Sequence, residues 1–437
     1  MSSSSSPELQ PPPAPTTTRY PTGPVPFLEY PSPNTTSTSS NSSSNSSSNS
    51  SSNSTTRPKR YLLFFISGNP GLIDYYAPFF THLRSLLNEL ESKSAASSSP
   101  GHQQPITFHI YGQNLIGFSD SDHAPFVPGS PDTEPFVLEE QISHLYDSLV
   151  SLNETEGPFD EIILAGHSVG SFLSLEILHR SLSSSQPSSL KLLPITTALL
   201  LFPTIHQMHL SPSGLRLSRI RSIPFLNQYA HVLAKSVVDL VPRFALRWIT
   251  RNVLGMSEHG SEVTTRFLQS RDGIWQAIHL GKDEMGVIRD GEGRWGWWSS
   301  PISSTRGTSE QHESNVDDLE EEVVAKEIEA VEEDWQRVAD AQIRQELDEH
   351  EQRGKGQEHE EAKKLKFFLY FGQNDHWVAD RYRDEFIERR KREGHTGKEG
   401  GTKIVIDEDR IPHAFCINHS EQVAEKVRVW IEEVVEG

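Results

Sequence analysis

EIILAGHSVGSFLSLEILHR, residues 161 to 180, runs from an apolar stretch into a helix-like stretch through a turn in which Ser168 stands between Gly166 and Gly170. The first part reads as a strand buried on both faces, the kind found inside a parallel sheet. A serine at such a strand-to-helix turn has the position of a nucleophile elbow, where the backbone is strained and glycines avoid collisions across the bend. The plainer reading makes Ser168 the N-cap of the following helix. Context separates the two, because a nucleophile needs an acid and a histidine arriving at the ends of later strands.

Outward from this stretch the chain alternates. YLLFFIS (61–67), TFHIYG (107–112), ITTALLLF (195–202), KFFLYFG (366–372) and TKIVID (402–407) are further short apolar runs. Between them, residues 75–90, 135–152, 169–179 and 377–392 have helical spacing. Strands alternating with helices predict an α/β protein with a mostly parallel sheet covered by helices on both faces. Function in such sheets gathers at the carboxyl ends of the strands.

Three candidates fall there. Asp375, in FGQNDHWVAD, lies in the loop after the run KFFLYFG and can accept the Nδ1 proton of a histidine. It could instead cap the helix expected near Trp377, and its rival Asp380 falls inside that helix. His413 follows the last run within a loop, whereas His419 sits at the start of the final helix beside Ser420. The order Ser168, Asp375, His413 after successive strands favours His413 as the base. An oxyanion hole would use the amide of Val169, directly after the serine, and one from ISGNPGL, where Pro70 has no N–H, Asn69 and Gly71 are the candidates, and Asn69 is favoured because it directly follows Ser67-Gly68 at the strand end. The other reading of Asn69 is a plain Asn-Pro-Gly turn.

Composition bounds the rest. The chain has 437 residues and a formal charge of −20. Residues 1–57 are rich in Ser, Asn and Pro with few apolar side chains, and are expected not to fold. No basic stretch followed by an apolar run opens the chain, so no signal peptide is expected. The single cysteine, Cys416, rules out a disulfide within the chain and suits a cytosolic protein. Residues 58–204 and 364–437 read as two halves of one core. Residues 306–363 form an acidic insert, with 20 acidic against 5 basic side chains between Glu310 and Glu361. That charge argues against nucleic acid as a partner.

Residues 205–305 interrupt the core where a helical cap or lid would stand. Residues 213–251 carry Arg216, Arg219, Arg221, Lys235, Arg243, Arg247 and Arg251 against Asp239 alone, interleaved with apolar side chains. This suits either a helix lying in a phospholipid interface or a cap packed over the site. Trp295, Trp297 and Trp298 fit an interface, a lid contact or a lid core equally. No stretch of about 20 uncharged apolar residues is present to span a bilayer. Neither a P-loop, a dinucleotide fingerprint nor clustered Cys and His ligands occur, so no metal or cofactor is expected.

SGNPGLIDYYAPFF, GHSVGSFLSLEIL, LLLFPTI followed by SPSG, FGQNDHWV and IPHAFC together resemble the lipid droplet-associated hydrolase family of α/β-hydrolases, over roughly residues 58–300 and 364–434. The resemblance implies an α/β-hydrolase fold with Ser168 as nucleophile, Asp375 as acid and His413 as base. It also implies a serine esterase for neutral lipid esters, of sterol ester or acylglycerol type, resident on lipid droplets and the cytosolic face of the endoplasmic reticulum. The Ser/Asn-rich N-terminus and the acidic insert depart from the family pattern. Two other readings share these residues: a lipid-droplet scaffold with little turnover, and a soluble esterase or thioesterase for small acyl groups.

Overall fold

Glu161–His167 form strand β4, buried along its whole length between neighbours on either side. A computed structural model describes residues 19–35, 57–97, 104–182, 193–289, 365–392 and 401–436. Its seven-stranded sheet has the order β1-β3-β2-β4-β5-β6-β7. The strands are β1 (Phe27–Tyr30), β2 (Lys59–Ile66), β3 (Ile106–Gln113), β4, β5 (Ile195–Leu201), β6 (Lys366–Phe371) and β7 (Thr402–Ile406). All neighbours pair in parallel except β1, which runs antiparallel along the outer edge of β3.

Alternate residues of the central strands feed two cores. Leu62, Phe64, Ile162 and Leu164 face one side, with helices α2 (Leu138–Thr155), α3 (Val169–Leu182) and a later helix α9 (Asp380–Arg392) over them. Leu63, Phe65, Ile163 and Ala165 face the other, under α1 (Ala77–Ser97) and α10 (Ser420–Glu436). This two-sided burial explains why the strands read as unbroken apolar runs rather than alternating ones. Among the described residues between β5 and β6 come five helices: α4 (Pro212–Arg221), α5 (Pro224–Asp239), α6 (Arg243–Trp248), α7 (Glu258–Gln269) and α8 (Gly273–Val287).

The N-terminal reading needs correction. Within residues 1–57, residues 19–35 are ordered against the sheet: Phe27 stacks on Tyr111 with ring centroids 5.5 Å apart, and Arg19 forms an ion pair with Glu140 at 2.6 Å. Averaging composition over a long polar segment hid VPFLEY (25–30), whose backbone groups are satisfied by pairing with the edge of β3. Residues 1–18 and 36–56, the three tryptophans at 295, 297 and 298, and the acidic insert 306–363 lie outside the described residues.

Candidate active site

Four loops at the carboxyl ends of parallel strands converge on Ser168. The serine itself has φ 56°, in the left-handed region that side chains other than glycine rarely adopt. The bend is tight. A Cβ on Gly166 would stand 2.2 Å from the Gly170 carbonyl oxygen, and one on Gly170 would stand 2.2 Å from that of Ile66. Both positions therefore exclude any larger residue.

Asp375 lies in the loop after β6 and His413 in the loop after β7. The His413 Nδ1–H donates to Asp375 Oδ2 at 2.6 Å, and the Ser168 hydroxyl donates to His413 Nε2 at 2.8 Å. Asp375 Oδ1 also accepts the Trp377 amide at 2.8 Å within the loop, whereas the helix expected near Trp377 begins only at Asp380. Burial opposes ionisation of Asp375, but the His413 ring and the Trp377 amide outweigh it and hold the carboxyl below its ordinary value. Asp380 opens α9 and pairs instead with Arg383 at 2.6 Å. His419 stands just before α10, away from this chain of hydrogen bonds. Asp407, at the end of β7, accepts from the Tyr370 hydroxyl and from the Ile411 amide, both at 2.6 Å, which fixes the loop that carries His413.

The loop after β2 presses against the serine, since a Cβ on Gly68 would lie 3.0 Å from Ser168 Cβ. Asn69 follows it. Val169 opens α3, where the first amides of a helix have no partner of their own. Among the described residues neither the Asn69 nor the Val169 amide donates to another protein group. A serine hydroxyl linked to a carboxylate-backed imidazole can lose its proton during attack on a carbonyl, and free amides beside it can hold the charge that develops.

A cavity of about 370 Å³ opens beside Ser168 and His413, and its walls come from the loop after β2 and from helices α4, α7 and α8. Among the described residues no group of three or more His, Cys, Asp or Glu is arranged to hold a metal ion.

The sequence model described as lipid-droplet associated hydrolase matches residues 59–300 and 309–416, so the match runs through most of the acidic insert that was expected to depart from the family pattern. The chain belongs to the lipid-droplet associated hydrolase family. Curated relatives named lipid droplet-associated hydrolase include one from Mus musculus, 24% identical over 86% of each chain, and one from Rattus norvegicus, 29% identical over 53% of this chain and 63% of that one. A third, from Homo sapiens, is 33% identical over 36% of this chain and 42% of its own. Similar solved structures include a haloalkane dehalogenase variant from Bradyrhizobium elkanii, 13% identical with a TM-score of 0.43 over 86% of this chain and 90% of that one. The peroxisomal α/β-hydrolase of Saccharomyces cerevisiae is 9% identical with a TM-score of 0.44, over 87% of this chain and 78% of that one. The strand order and family membership, rather than these distant likenesses, carry the α/β-hydrolase fold. Family and fold make this family member a hydrolase.

Three side chains of this hydrolase site escaped the sequence reading. His167 is wholly buried behind the serine: its Nε2–H donates to the His413 carbonyl at 2.8 Å, and its Nδ1 accepts from the Tyr76 hydroxyl at 2.7 Å. The Tyr76 oxygen in turn accepts the Gly68 amide at 3.1 Å. Burial, with the His413 ring adding to it, pushes His167 down to about 3, so the ring stays neutral and the direction of every bond in this chain is set. The third is Glu284, in the cavity wall. Its signal was present: Ile274, Ala277, Gly281, Glu284 and Ile288 recur at helical spacing, which places a carboxyl on an otherwise apolar face. Cys416 also borders the cavity, but burial pushes its thiol up to about 12, away from nucleophilic use.

Proposed function

We infer that this hydrolase is a serine esterase acting on neutral lipid esters at the surface of lipid droplets and of the cytosolic face of the endoplasmic reticulum. The observation that carries the reading is the chain Asp375–His413–Ser168 at the mouth of a largely apolar cavity. In this mechanism Ser168 attacks the ester carbonyl while His413 takes its proton, with Asp375 orienting the ring and stabilising the imidazolium. The amides of Val169 and Asn69 receive the oxyanion. His413 returns the proton to the departing alcohol, and water activated by the same ring then releases the acyl group from Ser168. No step calls for a metal or cofactor.

The lipid-surface part is supported by α5, which is amphipathic in the wrong sense for a soluble cap. On its side toward α8, His231 stacks on Trp275 at 4.3 Å. Its outer side carries Phe225, Tyr229, Val232, Leu233 and Val237, all exposed, and the stripe continues into Leu240, Phe244 and Trp248 at 84%, 77% and 61% exposure. Arg216, Arg219, Arg221, Arg243, Arg247 and Arg251 surround this stripe in sequence. Exposed apolar surface flanked by arginine is the pattern of a helix seated among anionic headgroups with its apolar face in the acyl region. No helix among the described residues is long and apolar enough to cross a membrane.

The test is covalent labelling of the purified protein by a fluorophosphonate probe. Labelling is expected for the wild type, none for Ser168→Ala, and at least a hundredfold slower labelling for His413→Ala, which loses the base. A folded wild type that refuses the probe even on lipid droplets sinks the esterase reading and leaves a scaffold with a hydrolase fold.

A further inference from the structure

The cavity beside Ser168 is walled mainly by apolar side chains such as Met208, Leu217, Met256 and Phe267, yet one carboxyl group stands among them. Glu284, on α8, is only 2% exposed. Asn69 is its one side-chain partner among the described residues, donating from Nδ2 to Glu284 Oε1 at 2.9 Å. The second hydrogen of that amide goes to the Ala277 carbonyl at 3.0 Å, so the Asn69 amide group is spent as a donor. Gly281, one turn before Glu284, also borders the cavity, and a Cβ there would stand 3.5 Å from the same nitrogen.

Among the described residues no lysine, arginine or histidine pairs with Glu284. A buried carboxylate without a cation is costly, and such a group keeps its proton. Burial, partly offset by the Asn69 hydrogen bond and reinforced by Asp283, pushes the Glu284 carboxyl up to about 8. Because Oε1 is the oxygen that accepts from Asn69, the proton belongs on Oε2. That O–H has no protein partner among the described residues, and the residue that carries it lines the cavity in which an ester would lie.

On the esterase reading above, we propose that Glu284 determines specificity: as a neutral carboxylic acid in the cavity wall, it donates a hydrogen bond to a free hydroxyl on the alcohol part of the substrate. The preferred ester is then one whose alcohol keeps an unesterified hydroxyl, since a site with a buried donor discriminates strongly against a substrate that leaves it unpaired. Through Oε1 the same group holds Asn69, so a positioning effect on the loop after β2 accompanies the specificity effect without replacing it.

Glycerol monobutyrate and propyl butyrate share an acyl group and differ in hydroxyls. With the purified full chain, Glu284→Leu is expected to lose about tenfold more kcat/KM on the glycerol ester than on the propyl ester, chiefly through KM, the size of one hydrogen bond. Glu284→Gln, which keeps an acceptor for Asn69 and offers an N–H donor, should recover most of the difference between the two esters that Glu284→Leu loses. Equal losses on the two esters would mean that Glu284 merely holds Asn69, and would overturn the proposal. A second measurement needs no turnover. In Ser168→Ala at neutral pH, infrared difference spectra should show a protonated-carboxyl carbonyl band that Glu284→Gln removes and that shifts when a monoalkylglycerol ether is added. Absence of the band, or of its shift, also overturns the proposal. A shifting band in a protein whose wild type refuses the fluorophosphonate would leave Glu284 as a hydroxyl reader and sink the esterase reading alone.

Discussion

At the scale of single residues, the site depends on groups that never touch a substrate. The buried chain Gly68 N–H, Tyr76 hydroxyl, His167 ring, His413 carbonyl ties the loop after β2 to the loop after β7 through the residue just before the serine. Each member is satisfied only because the others are. Tyr76→Phe removes the middle of the chain and leaves a buried amide and a buried ring nitrogen unpaired, at about 1–3 kcal/mol each when no water enters. A destabilisation of about 2 kcal/mol or more in urea unfolding is expected, together with slower fluorophosphonate labelling, because both loops around Ser168 lose a tether. A change below about 0.5 kcal/mol with unaltered labelling would show the chain to be incidental. The turn that carries Ser168 was legible in the sequence, since a buried run, two glycines and helical spacing follow one another there. The tethering role of His167 was not, because nothing local distinguishes a tethering histidine from a core one.

At the scale of elements, helix α8 is fastened to the core at its first turn. His123, in the loop after β3, bonds Asp122 at 2.6 Å through Nδ1 and Asp272 at 3.3 Å through Nε2, and Asp272 is the N-cap residue of α8. Arg271 adds a second ion pair to Asp272, at 2.6 Å. Burial works against a charged His123, but the two carboxylates outweigh it and raise the imidazole to about 9. A histidine whose folded value lies above its unfolded value of about 6.5 lends its full stability below that pH and loses it as the pH climbs through 9. Unfolding free energy should therefore fall by an amount on the order of 2 kcal/mol between pH 6.5 and 9.5, and His123→Gln should flatten that slope. Parallel urea midpoints for the two proteins across this range would dismiss the latch. The elements themselves were largely readable: β4 coincides with EIILAGH, and the helix after the serine begins at Val169 as its sequence suggests. Strand β1 was not, because a run of only four residues forms a strand only when an edge such as β3 supplies the partner groups.

At the scale of the whole molecule, two surfaces with opposite demands lie on one insertion. The inner sides of α7 and α8 wall the cavity, while α5 and α6 turn large apolar side chains outward. Seating each such side chain in an acyl phase is worth about 1.5–3 kcal/mol. A protein carrying Leu240→Glu, Phe244→Glu and Trp248→Glu should bind phospholipid-coated triacylglycerol droplets at least a hundredfold more weakly in flotation, with an unchanged melting transition. Flotation of the wild type should also weaken as salt rises, through the arginines. A wild type that never floats would favour the soluble esterase for small acyl groups.

Sequence by itself determined the parallel α/β frame, the order serine, aspartate, histidine along the chain, and the oxyanion candidates, because these follow from local patterning repeated at strand ends. Tertiary structure alone decided that Asp375, His413 and Ser168 meet within hydrogen-bond reach, that α5 turns its apolar side outward, and that Glu284 faces the cavity from a helix more than 200 residues after Asn69. The physical reason is common to all three. Periodicity tells which face of an element is apolar, whereas what that face meets depends on contacts between segments far apart in the chain.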